Sequence, residues 1–377
     1  MPLVKPFRAL RFDPAVAGPL DTLVSPPHDV ISPAELADLV ARNPHNIVRL
    51  LRPHQPELAA ERLRDWRANG VLVREEDPAV WLLEEDYSGP DGVARRRRGI
   101  VARVRVEPYD LGRVLRHERT FDAFRTARLN LLRATRTKLS PILLLHDRRP
   151  PPPAPEREPD LEAELHGVRS RLWRLENPDE IESALDSIGG QLIIADGHHR
   201  YEASRAFHEE EGTEESAYTL AALVSRSDPG LHVFPTHRVV AGAAPVLNGG
   251  LSLTELADGV PEAERRLAAV PRDRPAFVLL SDGASVLAEA PAAAGPLDAL
   301  DTVLVDRLAL DGVSFTPSAV EAEDAVQSGR AGAALLVRAP TIEQIEAVAR
   351  AGRTMPEKST YFYPKLTSGL LLAPFDE

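Results

Sequence analysis

The chain contains no cysteine. That absence excludes a disulfide framework, a cysteine-ligated zinc or iron–sulfur site, and any thiol nucleophile. Lysine is nearly absent as well: Lys5, Lys138, Lys358 and Lys365 are the only four, and every other basic residue is arginine. Basic charge as a whole is in deficit, with 45 Lys plus Arg against 57 Asp plus Glu and a net charge of -12. This balance has the wrong sign for neutralising a phosphate backbone, so no nucleic-acid partner is expected. No apolar run approaches the ~20 residues of a membrane-spanning helix. The longest candidates, 141–145 and 331–337, are strand-sized, so no membrane partner is expected. The opening MPLVKPFRALRFDPAVAGPL is interrupted by charges and prolines and carries no signal-peptide core. A soluble cytoplasmic protein is the expectation; its oligomeric state is not written in the sequence.

What is present is 43% apolar residues over 377 positions, enough to bury the cores of two or three domains. Helix and strand patterns alternate. Ser32-Pro33-Ala34-Glu35 is a capping box that opens a helix toward Asn43. Glu57–Ala68 is an amphipathic helix ended by Asn69-Gly70. Ala79–Tyr87 and Gly99–Val106 read as strands, with the Arg95–Arg98 run as a solvated turn between them. A helix at Phe121–Arg136 precedes the apolar strand Pro141–Leu145. Arg125, Arg128, Arg133 and Arg136 on that helix read as a wet face; a phosphate-facing Arg128 is the alternative. Residues 147–159 are too proline-rich for helix or sheet and read as a surface excursion. Asn177 caps a further helix. Strand Gln191–Ala195, helix Tyr201–Glu211 and strands Tyr218–Ser225 and Leu231–Val240 follow. The alternation continues to a helix at Ile342–Gly352. The class is α/β or mixed α+β without a fixed repeat. We expect an N-terminal extension (1–95), a central unit (96–245) and a C-terminal α/β unit (246–377).

The most informative stretch is Ile193-Ile194-Ala195-Asp196-Gly197-His198-His199-Arg200-Tyr201. An apolar strand delivers Asp196 at its end, and Gly197 permits a tight turn with close backbone approach. His198, His199 and Arg200 fall in the first helical turn, where free N–H groups and the positive dipole end converge. Arginine adds a planar fork suited to phosphate oxygens. Together these residues make a phosphate cradle. Asp196 with the two histidines also offers metal-ligand chemistry, although adjacent helical residues point about 100° apart and seldom share one ion.

This stretch resembles the phosphate-binding box of the ParB/sulfiredoxin-like superfamily. The chain is similar to the family catalogued as domain of unknown function 1015. That likeness runs through Pro26-Pro27-His28-Asp29-Val30, Asn43-Pro44-His45-Asn46, His117-Glu118-Arg119-Thr120, Asp196–Ala203, Pro235-Thr236-His237-Arg238 and Met355–Pro364. His28 and His45 stand where that family more usually has tyrosine. Outside the first quarter, the chain also resembles the free serine kinases, which phosphorylate the hydroxyl of L-serine with a nucleotide. The fold this implies is a ParB/sulfiredoxin-like core. The role it implies for Glu118 and for Asp196 is catalytic. Asp196 would either hold Mg²⁺ or orient the nucleophile. The stretch Lys358-Ser359-Thr360 matches the amino-acid-binding element of those kinases, but Tyr361-Phe362 replaces their Arg-His. Pro235-Thr236-His237-Arg238 either lines the same cleft, with His237 and Arg238 toward substrate, or braces the sheet.

The resulting expectation is a phosphotransferase that uses ATP or ADP with Mg²⁺. Gly197, His198, His199 and Arg200 would take the phosphates, and Glu118 the proton of a hydroxyl on serine or a related hydroxy acid. The alternatives are a ParB-like nucleotide switch without DNA binding and a metal-dependent hydrolase on Asp196, His198 and His199. Sulfiredoxin chemistry is excluded because it needs a cysteine.

Overall fold

The computed structural model describes residues 3–247, 249–257, 259–281 and 283–375. Among these, the largest sheet has nine strands. Its path runs Val114–Leu115, Leu192–Asp196, Ile142–His146, Tyr218–Ser225, Ala94–Arg105, Val80–Ser88, Val168–Leu175 and Leu161–Leu165, with Val4–Lys5 added against Ala94–Arg105. Two pairings are parallel, Leu192–Asp196 with Val114–Leu115 and Tyr218–Ser225 with Ile142–His146. The central strands are near-continuous apolar runs because both of their faces are covered, and Tyr218–Ser225 is buried at every position. The class is thus mixed α/β, as the alternation predicts.

A second sheet of six antiparallel strands includes His237–Val240, Ala276–Ser281 and Ala333–Leu336. It has its own cores, built on residues such as Val278, Leu280 and Leu336 on one face and Phe277, Leu279 and Leu335 on the other. The chain then returns to the first unit. Tyr361–Tyr363 pairs with His232–Phe234, and Ala373–Pro374 pairs with Thr137–Lys138. Leu366, Leu370 and Leu372 join the core that holds Ile193 and Leu143. No described helix is long and apolar enough to cross a membrane.

Two sequence expectations are revised. The arginine run is not a turn: it lies inside the strand Ala94–Arg105, and the connection is the tighter Gly89–Val93. Cross-strand register sets Arg97 opposite Glu85, both wholly buried, with Nε 2.8 Å from Oε2. The same strand runs through residues 95 and 96. The strand expected over Leu231–Val240 is two, His232–Phe234 and His237–Val240, in different sheets. Pro235 lacks the N–H that a continuous ladder needs.

Candidate active site

The strand Leu192–Asp196 leads through Gly197 into the helix His198–Glu211. Gly197 has a φ of 95°, and a β-carbon there would come within 2.7 Å of Ile142. Only glycine fits this backbone at this approach. No side chain caps the helix. Its first N–H groups and dipole therefore stay available to an anion.

Asp196, at the strand end, is held by two cations. Lys365 Nζ lies 2.5 Å from Oδ1, and Arg200 Nη2 lies 2.6 Å from Oδ2. Burial pushes the carboxyl up in pKa, but Lys365 and Arg200 more than offset this and hold it down at about 2. Arg200 also donates to Ser140 Oγ and the Pro141 carbonyl. Its guanidinium thus braces Asp196 and the neighbouring strand, where sequence reasoning expected a phosphate fork.

Glu118 arrives from a connection that the C-terminal segment clamps, with Met355 N–H donating to the His117 carbonyl at 2.8 Å. Its Oε2 lies 3.4 Å from His198 Nδ1, and its Oε1 accepts from Thr360 Oγ1 at 3.3 Å. Thr360 Oγ1 also lies 3.1 Å from His117 Nε2. The His117 and His198 rings meet edge to face at 4.7 Å. Burial raises the Glu118 pKa; His198 at ion-pair distance, then His117 and Lys365, outweigh it and leave the carboxyl well below the usual range. Burial, with His198 beside it, holds His117 neutral, its pKa down at about 3. Lys365 thus acts on both carboxylates, and the charge of Glu118 also acts on Asp196.

Four sequence-chosen residues, Glu118, Asp196, His198 and Thr360, come together here. His199 turns elsewhere: its Nε2 accepts the Phe121 N–H at 3.0 Å and its ring stacks on Phe121, docking the next helix. Lys358 is exposed with a left-handed φ of 54° and touches none of these groups. Ser359 is buried and donates within its own surroundings, to Thr302 Oγ1 and the Pro356 carbonyl. His237 and Arg238 belong to the second sheet. His237 Nδ1 accepts from Val337 N–H, and Arg238 donates to the Thr236 and Glu357 carbonyls and lies over Phe315. Of the two readings for that motif, these contacts are those of a sheet brace. Sequence reasoning named Lys365 and His117 but gave neither a role in the site. The scarcity of lysine was the one signal that could have picked out Lys365.

Mg²⁺ fits this arrangement poorly. Both Asp196 oxygens already face cations, Lys365 and Arg200, whose charge opposes a further positive ion there. No group of three or more His, Asp or Glu among the described residues is arranged to hold a metal.

A family model described as "Protein of unknown function (DUF1015)" matches residues 4–303. No curated protein matches the chain. Among solved structures, a free serine kinase in complex with AMP aligns at 16% identity, covering 71% of this chain and 88% of that one, with a TM-score of 0.39. A conserved hypothetical protein from Pyrococcus furiosus aligns at 13% identity, covering 70% and 90%, with a TM-score of 0.37. SbnI with a C-terminal truncation, from Staphylococcus aureus, aligns at 12% identity, covering 73% and 87%, with a TM-score of 0.37.

Proposed function

Since the chain belongs to the DUF1015 family, whose function is unknown, we propose from the site itself that it is a nucleotide-dependent phosphotransferase acting on a small-molecule hydroxyl. Serine or a related hydroxy acid is the best acceptor, and ATP or ADP the donor. One observation carries this reading. Two ionised carboxylates, Glu118 and Asp196, share Lys365 at the uncapped N-terminus of helix His198–Glu211.

The helix N-terminus, with Gly197 and His198, receives the phosphates through backbone N–H groups. Lys365 adds a point charge beside them. Glu118 accepts the hydrogen bond of the acceptor hydroxyl and points its oxygen at the phosphorus. Phosphoryl transfer passes through a loose transition state, so the hydroxyl proton becomes acidic only as the new bond forms. A weakly basic carboxylate such as Glu118 can take it at that stage. Thr360 and His198 fix the Glu118 oxygens. Asp196, paired to two cations, anchors Lys365 and Arg200 instead of ligating a metal. Catalysis rests on positioning and electrostatics.

The depressed pKa of Glu118 favours a second reading, a nucleotide switch with slow hydrolysis and no acceptor. Incubation with ATP or ADP, with and without Mg²⁺, and a panel of hydroxy acids separates the two by product mass. A phosphorylated acceptor, lost by about 100-fold or more in Glu118→Gln and in Asp196→Asn, supports the transferase. Nucleotide binding with every acceptor left unmodified selects the switch, and failure to bind any nucleotide sinks both.

A further inference from the structure

Beside Arg200, the partner of Asp196, lies a cavity of about 50 Å³ between the N-terminal segment, the helix Asp122–Thr135 and the helix His198–Glu211. Its polar wall includes His28, Arg128, Lys138, Ser140, Arg200 and Ser204, and leucines with Ala203 and two threonines close the rest. No aspartate or glutamate lines it. Three basic side chains, Arg128, Lys138 and Arg200, therefore line one small, partly open space without a carboxylate in its wall.

Their existing partners do not balance that charge. Arg128 makes one hydrogen bond, from Nη1 to the Leu51 carbonyl at 3.1 Å, and has no carboxylate at ion-pair distance among the described residues. Burial, then Arg200 and Arg52, lowers its pKa to about 10, with only the more distant Asp29 opposing. Lys138 is buried, and its Nζ donates to the neutral Ser204 Oγ at 2.7 Å. Burial and Arg103 hold it well below the usual lysine range. Arg200 is matched by Asp196, but Lys365 already claims the other oxygen of that carboxylate. Burial and the charges of Arg128, Arg200 and Arg52 keep His28 neutral, so its ring can donate or accept. A part-buried guanidinium such as Arg128, with no carboxylate at ion-pair distance among the described residues, is costly, and an anion placed beside it relieves that cost.

We propose that this cavity binds an oxyanion group, carboxylate or phosphate, of the small-molecule acceptor. The volume suits a single oxyanion head and lies far below the ~300 Å³ or more of a drug-sized site. Guanidinium forks match such a head bidentately. The stretch carrying His28 and Leu51 thereby completes the site, and the acceptor is an anionic molecule whose charged end sits on Arg128. This assignment rests on the phosphotransferase reading for the word acceptor, while the cavity's affinity for an anion stands without it.

Calorimetric titration of the full chain with inorganic phosphate and with acetate, at constant ionic strength and with or without ADP, tests it. One saturable site is expected for at least one anion, weakened about 10-fold or more in Arg128→Gln, with ADP affinity unchanged. Phosphate alone marks a phosphorylated acceptor; acetate, alone or with phosphate, marks a carboxylic acid. Absence of saturable binding of either anion, or equal affinity in Arg128→Gln, overturns the proposal. Loss of ADP affinity in that variant also overturns it, because the cavity would then belong to the nucleotide. Anion binding without any ADP binding by the wild type removes the phosphotransferase reading and keeps the cavity. A second measurement needs no variant: the bound anion should slow phenylglyoxal modification of Arg128, followed by peptide mass, and unaltered labelling overturns the assignment.

Discussion

Lys365 Nζ lies 2.5 Å from Asp196 Oδ1, across 169 residues of sequence. The pair ties the C-terminal segment to the end of a central strand. In Lys365→Met the mostly buried carboxylate keeps only Arg200, and breaking such a pair costs about 3 kcal/mol. Chemical denaturation should show that loss in Lys365→Met. The double variant Lys365→Met with Asp196→Asn should recover part of it, giving a clear coupling energy. The coupling should be full above the ordinary aspartate pKa of 3.8 and fade as pH falls toward about 2, where Asp196 protonates in the folded state. Strictly additive single and double variants would contradict the pairing.

Thr360 and Lys358 are neighbours with opposite placements. Thr360 bridges His117 and Glu118, whereas Lys358 is exposed. Thr360→Val should lower kcat by about 10-fold, since Glu118 loses an oriented donor worth roughly 1–1.5 kcal/mol. The same change should raise the acidic limb of the pH–rate profile, because a donor that favours the charged carboxylate is gone. Lys358→Ala should leave kcat and KM unchanged and shift stability by no more than about 0.5 kcal/mol. Steady-state kinetics on the acceptor identified by product mass decides this, and a KM defect in Lys358→Ala alone would return the substrate role to that lysine.

The legible part of the site was its local part. Apolar Leu192–Ala195, the glycine turn and the following helix are set by neighbours in sequence, so residue types alone reveal them. The pairing of Asp196 with Lys365 and of Glu118 with Thr360 is set by how distant segments dock, and no periodicity encodes it. The arginine run shows the same limit from the other side. Four consecutive arginines look solvated until register sets Arg97 opposite the buried Glu85. The split at Pro235 was legible in principle, because a missing N–H is a local fact. Which sheet each half would join was not.

Burial of neutral histidines gives the chain a pH dependence of definite sign. Desolvation is the first cause in each of His28, His117, His146 and His237, whose pKa values fall to about 2, 3, 4 and 4 from an ordinary 6.5. Below pH 6.5 the unfolded chain therefore binds protons that the folded chain refuses. Stability must rise with pH across about 4 to 6.5, by up to ~1.4 kcal/mol per pH unit for each histidine. Burial raises three carboxylates, Glu85, Asp228 and Glu264, which act in the opposite sense as pH climbs through their folded values. They are outnumbered, because His199, His208 and His232 are also lowered and add to the rising slope. Denaturant midpoints at pH 5, 6 and 7 should therefore increase in that order. His146→Phe, whose ring is buried and whose nitrogens have no partner among the described residues, should flatten the slope by the share of one proton. A midpoint that falls from pH 5 to 7 would mean that these rings are charged in the folded protein.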